Sequence, residues 1–321
     1  MLKIGVFGVG HLGRIHLKCL LGLPQMYELV GFYDTNAEAG RKISQETGVP
    51  FFENRELLLQ AADIIDIVTP TTTHFELAQE CMRAGKHIFV EKPITQTVSQ
   101  GLELCRLADE MGVQAQVGHV ERFNPAFLAL DGYKLDPKFI EVHRLAMFNP
   151  RGTDVSVVED LMIHDLDIML ALVDSPVYKV SANGVAIVSK HADIANARIE
   201  FDNGAVANIT ASRISLKQMR KFRLFQPDAY ISMDFLNKQT ELVRLHDQIP
   251  TNAVNFTELD TAIGRKYLEI SMPQTEATNA IQMELELFGR AILQNTPPKV
   301  PLQAGLAALE LAHWILETIN K

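Results

Sequence analysis

Leu2-Lys3-Ile4-Gly5-Val6-Phe7-Gly8-Val9-Gly10-His11-Leu12-Gly13 is the stretch that decides the fold. Ile4 to Phe7 is a short apolar run bounded by glycines, which predicts a buried parallel strand rather than a helix. The next three glycines have separate tasks: Gly8 permits a tight turn, Gly10 lets a diphosphate approach bare backbone, and Gly13 lets a helix pack closely on the sheet. Free N–H groups and the positive dipole end of that helix suit a diphosphate. Leu12, Ile15, Cys19 and Leu20 are its expected apolar face. The following strand, Glu28 to Tyr33, runs into Asp34, about 20 residues beyond Gly13, where an acid can hold a ribose hydroxyl. Strand, glycine loop, helix and acid in register predict a dinucleotide-binding βαβ unit, with Gly8, Gly10, His11, Leu12, Gly13 and Asp34 against the cofactor.

Working outward, strands and helices alternate through residue 120, the pattern of a parallel sheet with crossover helices. Helices are expected near Ala37–Thr47, Arg55–Ala61, Phe75–Ala84 and Val98–Met111. The intervening strands are Val49–Phe52, Ile64–Val68, His87–Val90 and Val113–Val117. Around Gly118 to Pro125 the rhythm changes. Strand-like runs then dominate, at Phe139–Phe148, Val177–Val188, Ala195–Phe201, Ala205–Ser212, Lys221–Phe225, Tyr230–Phe235 and Thr240–Arg244, with Asp202-Asn203-Gly204 as a hairpin turn. One helix, Val157–Leu172, interrupts them. Gln248 to Pro273 is poorly patterned, and helices at Ala277–Gln294 and Leu302–Ile319 follow. The reading is an α/β chain with an N-terminal Rossmann domain, 1–120, built on a parallel sheet. A C-terminal α+β domain, 121–321, carries a large, mainly antiparallel sheet, and its last helices are free to pack back on the first domain.

With 321 residues, 47% of them hydrophobic, the chain has the size for two domains and a substantial core. A formal net charge of −9, with no lysine or arginine cluster to offset it, argues against nucleic-acid binding. No apolar run approaches the ~20 residues of a membrane span. The glycine-broken N-terminal stretch lacks an A-x-A-like cleavage site, so a cytoplasmic location is expected. Cys19, Cys81 and Cys105 sit in helical patterns and read as reduced core thiols.

Ligands of a parallel sheet collect at the carboxyl ends of its strands, which brings in Thr69-Pro70-Thr71, Glu91-Lys92-Pro93 and Gly118-His119. Lys92, between a strand end and a proline, sits on stiff backbone near the expected nicotinamide, where its charge favours an alkoxide. The competing reading is a lysine that reaches solvent or pairs with Glu91. Asp160 and His164 are spaced i to i+4 on one helix face; a carboxylate there orients an imidazole for acid–base work. The same pair also reads as a plain helix ion pair. A metal site is disfavoured, because no second histidine or cysteine has ligand spacing in that helix. His74 opens a helix and either caps it or contacts the cofactor. Arg122, Asn124, Arg151 and Arg213 are candidates for an anionic part of a substrate, since arginine matches phosphate in a fork geometry; ordinary surface arginines are the alternative.

Together, GVGHLG at 8–13, TPTTTH at 69–74, AGKHIFVEKP at 84–93, VGHVERFNP at 117–125 and DLMIHDLD at 160–167 resemble the Gfo/Idh/MocA family over nearly the whole chain. That resemblance implies NAD or NADP as cofactor, sugars or cyclitols as substrates, and Lys92, Asp160 and His164 as catalytic residues. It also sets Thr69, Pro70, Thr71, His74, Glu91 and His119 near the cofactor. Val158 and Glu159 stand where a glycine often precedes the Asp-x-x-x-His segment. VGHVERFNPA and DLMIHDLDI are most similar to the UDP-N-acetylglucosamine 3-dehydrogenase branch. The expected activity is therefore hydride transfer between NAD and a secondary alcohol or ketone of a sugar, in particular a UDP-amino sugar. Asp34 favours NAD, while Arg41 leaves NADP open. Alternatives are a noncatalytic dinucleotide sensor, a family member acting on a cyclitol or free sugar, and an aldehyde or imine reductase. Family relatives pair through the open sheet, so a homodimer or homotetramer is expected.

Overall fold

The computed structural model describes residues 1–149, 155–249, 256–273 and 278–321, and the chain divides into two compact units. Unit 1 is Met1–Val120 with Thr278–Glu310, and unit 2 is Glu121–Ala277 with Leu311–Lys321.

Unit 1 runs β1 (Leu2–Phe7), α1 (His11–Leu21), β2 (Tyr27–Tyr33), α2 (Ala37–Thr47), α3 (Arg55–Ala61), β3 (Ile64–Ile67), α4 (His74–Arg83), β4 (His87–Glu91), α5 (Val98–Met111) and β5 (Ala115–Gly118). The five strands form one parallel sheet in the order β2-β1-β3-β4-β5. Its inner strands are sealed on both faces by crossover helices, so every residue of β3 is buried. Local signals set the helix ends. Asn36 accepts from the Ala39 N–H to start α2, and a Thr97–Gln100 capping box starts α5. Alpha1 has no side-chain cap. Its buried face is Gly13, His16, Leu17, Cys19 and Leu20, which corrects the expected face: Leu12 and Ile15 are only partly covered, and a histidine points inward instead. The expected strand at Val49–Phe52 is reduced to a single bridge between Phe51 and Phe32.

Unit 2 begins with a short helix, α6 (Pro125–Leu128), and β6 (Phe139–Leu145). A π-helical turn, Val158–Met162, then leads into α7 (Ile163–Leu172). The remaining strands are β7 (Val177–Val185), β8 (Ile194–Phe201), β9 (Val206–Ser212), β10 (Met219–Gln226), β11 (Ala229–Asp234), β12 (Gln239–His246), β13 (Phe256–Thr261) and β14 (Gly264–Ser271). They form a nine-stranded sheet, β13-β14-β12-β11-β10-β6-β9-β8-β7, antiparallel apart from the β6–β9 pair. Buried and exposed positions alternate along β6, β8 and β9, so one face is covered. Ile140, Ile199, Ile209 and Phe222 on that face belong to one core with Leu166 and Met169 of α7. Beta13 and β14 lie in the stretch from Gln248 to Pro273 that showed no pattern. Beta13 is exposed along almost its whole length and neither face of the hairpin is sealed, so no hydrophobic alternation was there to read.

Two helices close the chain: α8 (Ala280–Gln294), capped by Asn279, and α9 (Leu302–Ile319). Leu285 and Phe288 of α8 belong to the core of unit 1 with Leu17, Leu20 and Phe89. Leu311, Ala312 and Ile315 of α9 belong to the core of unit 2. No helix among the described residues is long and apolar enough to cross a membrane. All three cysteines are buried and free.

Candidate active site

The glycine loop of unit 1 is fixed by contacts that leave no room for side chains. Gly8 has φ +86°, and a Cβ there would lie 2.8 Å from Thr69 Cγ2. At Gly13 a Cβ would fall 2.1 Å from the carbonyl oxygen of Gly8, backbone against backbone. Gly10 is different, because nothing lies within 4 Å of its Cβ position. That open space faces a cavity of about 700 Å³ whose wall includes Gly8, Gly10, His11, Leu12, Asp34, Thr69, Pro70, Glu91 and Lys92. A bare glycine backbone, an uncapped helix start and an acid beyond the second strand fit a dinucleotide. Asp34 accepts from the N–H groups of Val9 and Asn36, each at 2.9 Å, so its carboxylate is held at the rim.

Four expected cofactor residues, Gly13, Thr71, His74 and His119, are not part of the cavity wall. Gly13 acts through packing, as its close approach to Gly8 shows. His74 is buried behind the wall, with Nδ1 2.9 Å from the Pro93 carbonyl and Nε2 2.9 Å from that of Thr69. It thereby ties together two segments that line the cavity, and burial holds its pKa below the usual value. His119 is fully buried as well. Sequence reasoning missed Tyr33, Arg55, Thr73 and Glu76, which do line the cavity. Arg55 starts a helix far along the chain, and nothing in its local sequence marks it.

In unit 2, Asp160 lies in the π-helical turn and His164 in the first turn of α7. Both are partly exposed, and π-helical turns are frequent at functional sites. The neighbouring aspartates serve the fold. Asp165 takes two hydrogen bonds from buried Arg144, at 2.7 and 2.8 Å, and Asp167 takes two from Arg122, at 2.6 and 2.9 Å. Arg144 also reaches Glu121 at 3.0 Å, and these carboxylates push its pKa up against the opposing effect of burial.

At three of the positions expected to hold a substrate anion, the side chain has a partner inside the protein. The charge of Arg122 is matched by Asp167. Asn124 caps α6 and donates to Glu121 and to the Phe235 carbonyl. Arg213 is 4% exposed and donates to the carbonyl of Val155. Each has at least one partner distant in sequence, Asp167, Phe235 or Val155, which local reading does not reveal. Arg151 lies outside the described residues. No group of three or more His, Cys, Asp or Glu among the described residues is placed to hold a metal ion.

Residues 2–119 match the oxidoreductase family with an NAD-binding Rossmann fold, and residues 141–229 match the Gfo/Idh/MocA C-terminal domain. UDP-N-acetylglucosamine 3-dehydrogenase of Acidithiobacillus ferrooxidans is 41% identical over 238 residues, covering 74% of this chain and 75% of that protein. The chain belongs to the Gfo/Idh/MocA family. It is an oxidoreductase with a Rossmann domain for a nicotinamide dinucleotide. A solved structure of the same Acidithiobacillus ferrooxidans dehydrogenase superposes with a TM-score of 0.89 at 33% identity, over 99% of this chain and 97% of that one. Inositol 2-dehydrogenase of Rhizobium meliloti is 28% identical, over 99% of this chain and 96% of that protein.

Proposed function

We propose that this chain is an NAD-dependent dehydrogenase that moves hydride between nicotinamide and a secondary alcohol or ketone of a nucleotide-linked amino sugar. UDP-N-acetylglucosamine is the first substrate to test. One observation carries the reading: Lys92 shares a single cavity wall with Gly8, Gly10 and Asp34. The chain's 41% identity to a UDP-N-acetylglucosamine 3-dehydrogenase supports this substrate class.

When bound, the nicotinamide supplies the hydride acceptor. The glycine loop seats the diphosphate and Asp34 binds the ribose hydroxyls. His164, oriented by Asp160, takes the proton from the sugar hydroxyl as the hydride leaves its carbon, and the Lys92 ammonium stabilises the developing oxyanion. NAD is the cofactor rather than NADP. Asp34 opposes a 2′-phosphate, and the nearby arginines already have partners, Arg41 in Glu53 and Arg55 in Glu80.

The protein works as a homo-oligomer paired through the uncovered face of the large sheet. An aromatic row supports this, with Phe225 of β10 5.8 Å from Phe139 and 5.0 Å from Tyr230, all in cross-strand register. The test of function is NADH formation from NAD and a panel of UDP-sugars. Tight NAD binding with no turnover of any sugar would favour a dinucleotide sensor.

A further inference from the structure

A buried ionic cluster lies beneath the cavity floor of unit 1. His16, on the inward face of α1, shares a 2.9 Å hydrogen bond between Nδ1 and Oδ2 of Asp66 in β3, and its Nε2 lies 3.1 Å from Oε1 of Glu91 in β4, at ion-pair distance but out of hydrogen-bond alignment. The side chains of His16 and Asp66 are fully buried, and Glu91 is buried except where it reaches the cavity wall. The other oxygen of Glu91, Oε2, accepts from the backbone N–H of Lys92 at 3.2 Å. Glu284 of α8 faces the same cluster, and neither of its carboxyl oxygens has a hydrogen-bond partner.

We propose that His16 is a positioning residue for Lys92: an imidazolium held between Asp66 and Glu91 that fixes the Glu91 carboxylate under the Lys92 backbone and links the glycine-loop helix to that segment. The inference rests on Lys92 acting in the site. Two carboxylates facing the two ring nitrogens are best met by the charged ring, which offers a donor to each, although burial pushes the pKa of Asp66 itself up against the lowering effect of His16. A neutral ring would leave one buried carboxylate facing a lone pair, an uncompensated charge in a water-free interior. Burial opposes the charge on His16, but Asp66 and Glu91 outweigh it and hold its pKa well above the usual value. Glu91 in turn is held below the usual range: burial opposes this, and His16 and Lys92 overcome it. Burial and the Glu91 charge push the pKa of Glu284 well above the usual carboxylate range. Cys19, on the same helix, also senses the ring, and the edge of His16 rests on Phe89 with 5.7 Å between ring centroids. A Cβ at Gly118 would lie 2.8 Å from Oε1 of Glu91, so the carboxylate is confined from the β5 side too.

The direct test is nitrogen NMR of the His16 ring in the native protein, combined with pH–rate profiles of His16→Gln, Glu91→Gln and the double variant. Both ring nitrogens are expected to stay protonated through neutral pH, well above the ordinary histidine value of about 6.5. His16→Gln removes the cation next to Glu91, so the acid limb of kcat/KM moves to higher pH by about 1–3 units. It also lowers kcat on the order of 100-fold through a misplaced Lys92. In the Glu91→Gln background the same substitution should move the acid limb no further. A neutral His16 ring titrating at its ordinary value would overturn the proposal, as would a His16→Gln profile that superimposes on the native one. The ring measurement needs neither turnover nor a folded variant. A native protein that is inactive with every sugar therefore counts against the functional reading, and the NMR result still decides this one.

Discussion

Asp34 accepts a hydrogen bond from the backbone N–H of Val9, with 2.9 Å between Oδ2 and N, which fastens the acid after β2 to the glycine loop after β1. The acid proposed to select the ribose is thus anchored to the loop proposed to seat the diphosphate. Like charges brought together cost several kcal/mol, so the native protein should prefer NAD over NADP by roughly 100-fold or more in kcat/KM. Asp34→Ser should erase most of that preference. Steady-state kinetics with both cofactors checks it, and equal use of NADP by the native protein would be the contrary result.

Two glycines of the loop should respond differently to alanine. Gly13→Ala sets a Cβ 2.1 Å from the Gly8 oxygen, and neither backbone can yield cheaply. A loss of about 1–3 kcal/mol in stability is expected, with loss of NAD binding. Gly10→Ala meets no protein atom within 4 Å, so it should melt like the native protein while binding NAD more weakly. Thermal melts and NAD titration of the two variants separate the cases.

The catalytic assignments predict a split between binding and turnover. Lys92→Ala and His164→Asn should each lower kcat by about 100- to 10,000-fold, with little change in NAD affinity. Fluorescence titration with NADH, run beside the rate assay, measures both.

Asp193 gives a stability prediction away from the site. It accepts from the N–H groups of Ile187, Val188 and Ser189 at 2.6, 2.7 and 3.1 Å. Burial pushes its pKa up, but these donors prevail and hold it at about 2, below the ordinary 3.8. Its stabilisation is therefore present above pH 3.8 and lost as the pH falls through about 2. Asp193→Ala, which leaves those amides without an acceptor, should cost about 1–3 kcal/mol at neutral pH. Denaturant melts should show the gap from the native protein closing in strong acid.

The parallel sheet was legible because its evidence is local: an apolar run, three spaced glycines and an acid. The strands of unit 2 were legible where one face is sealed, as in β8 and β9, and illegible in β13 and β14, where neither face is. Arg122 and Arg213 are each held by a partner, Asp167 for one and the Val155 carbonyl for the other, that the tertiary fold supplies and the local sequence does not show. His16 looks like any polar helix residue. The signal lay elsewhere, in Asp66 within the apolar run Ile64–Val68, since a carboxylate in a strand buried on both faces requires a partner.

The most direct test of the central claim is reduction of NAD by UDP-N-acetylglucosamine, followed in the native protein and in Lys92→Ala at matched NAD occupancy. The account predicts steady NADH formation and a keto sugar from the native protein, with the variant binding NAD but nearly silent. Turnover undiminished in Lys92→Ala would contradict it, as would a native protein that binds NAD and oxidises no UDP-sugar.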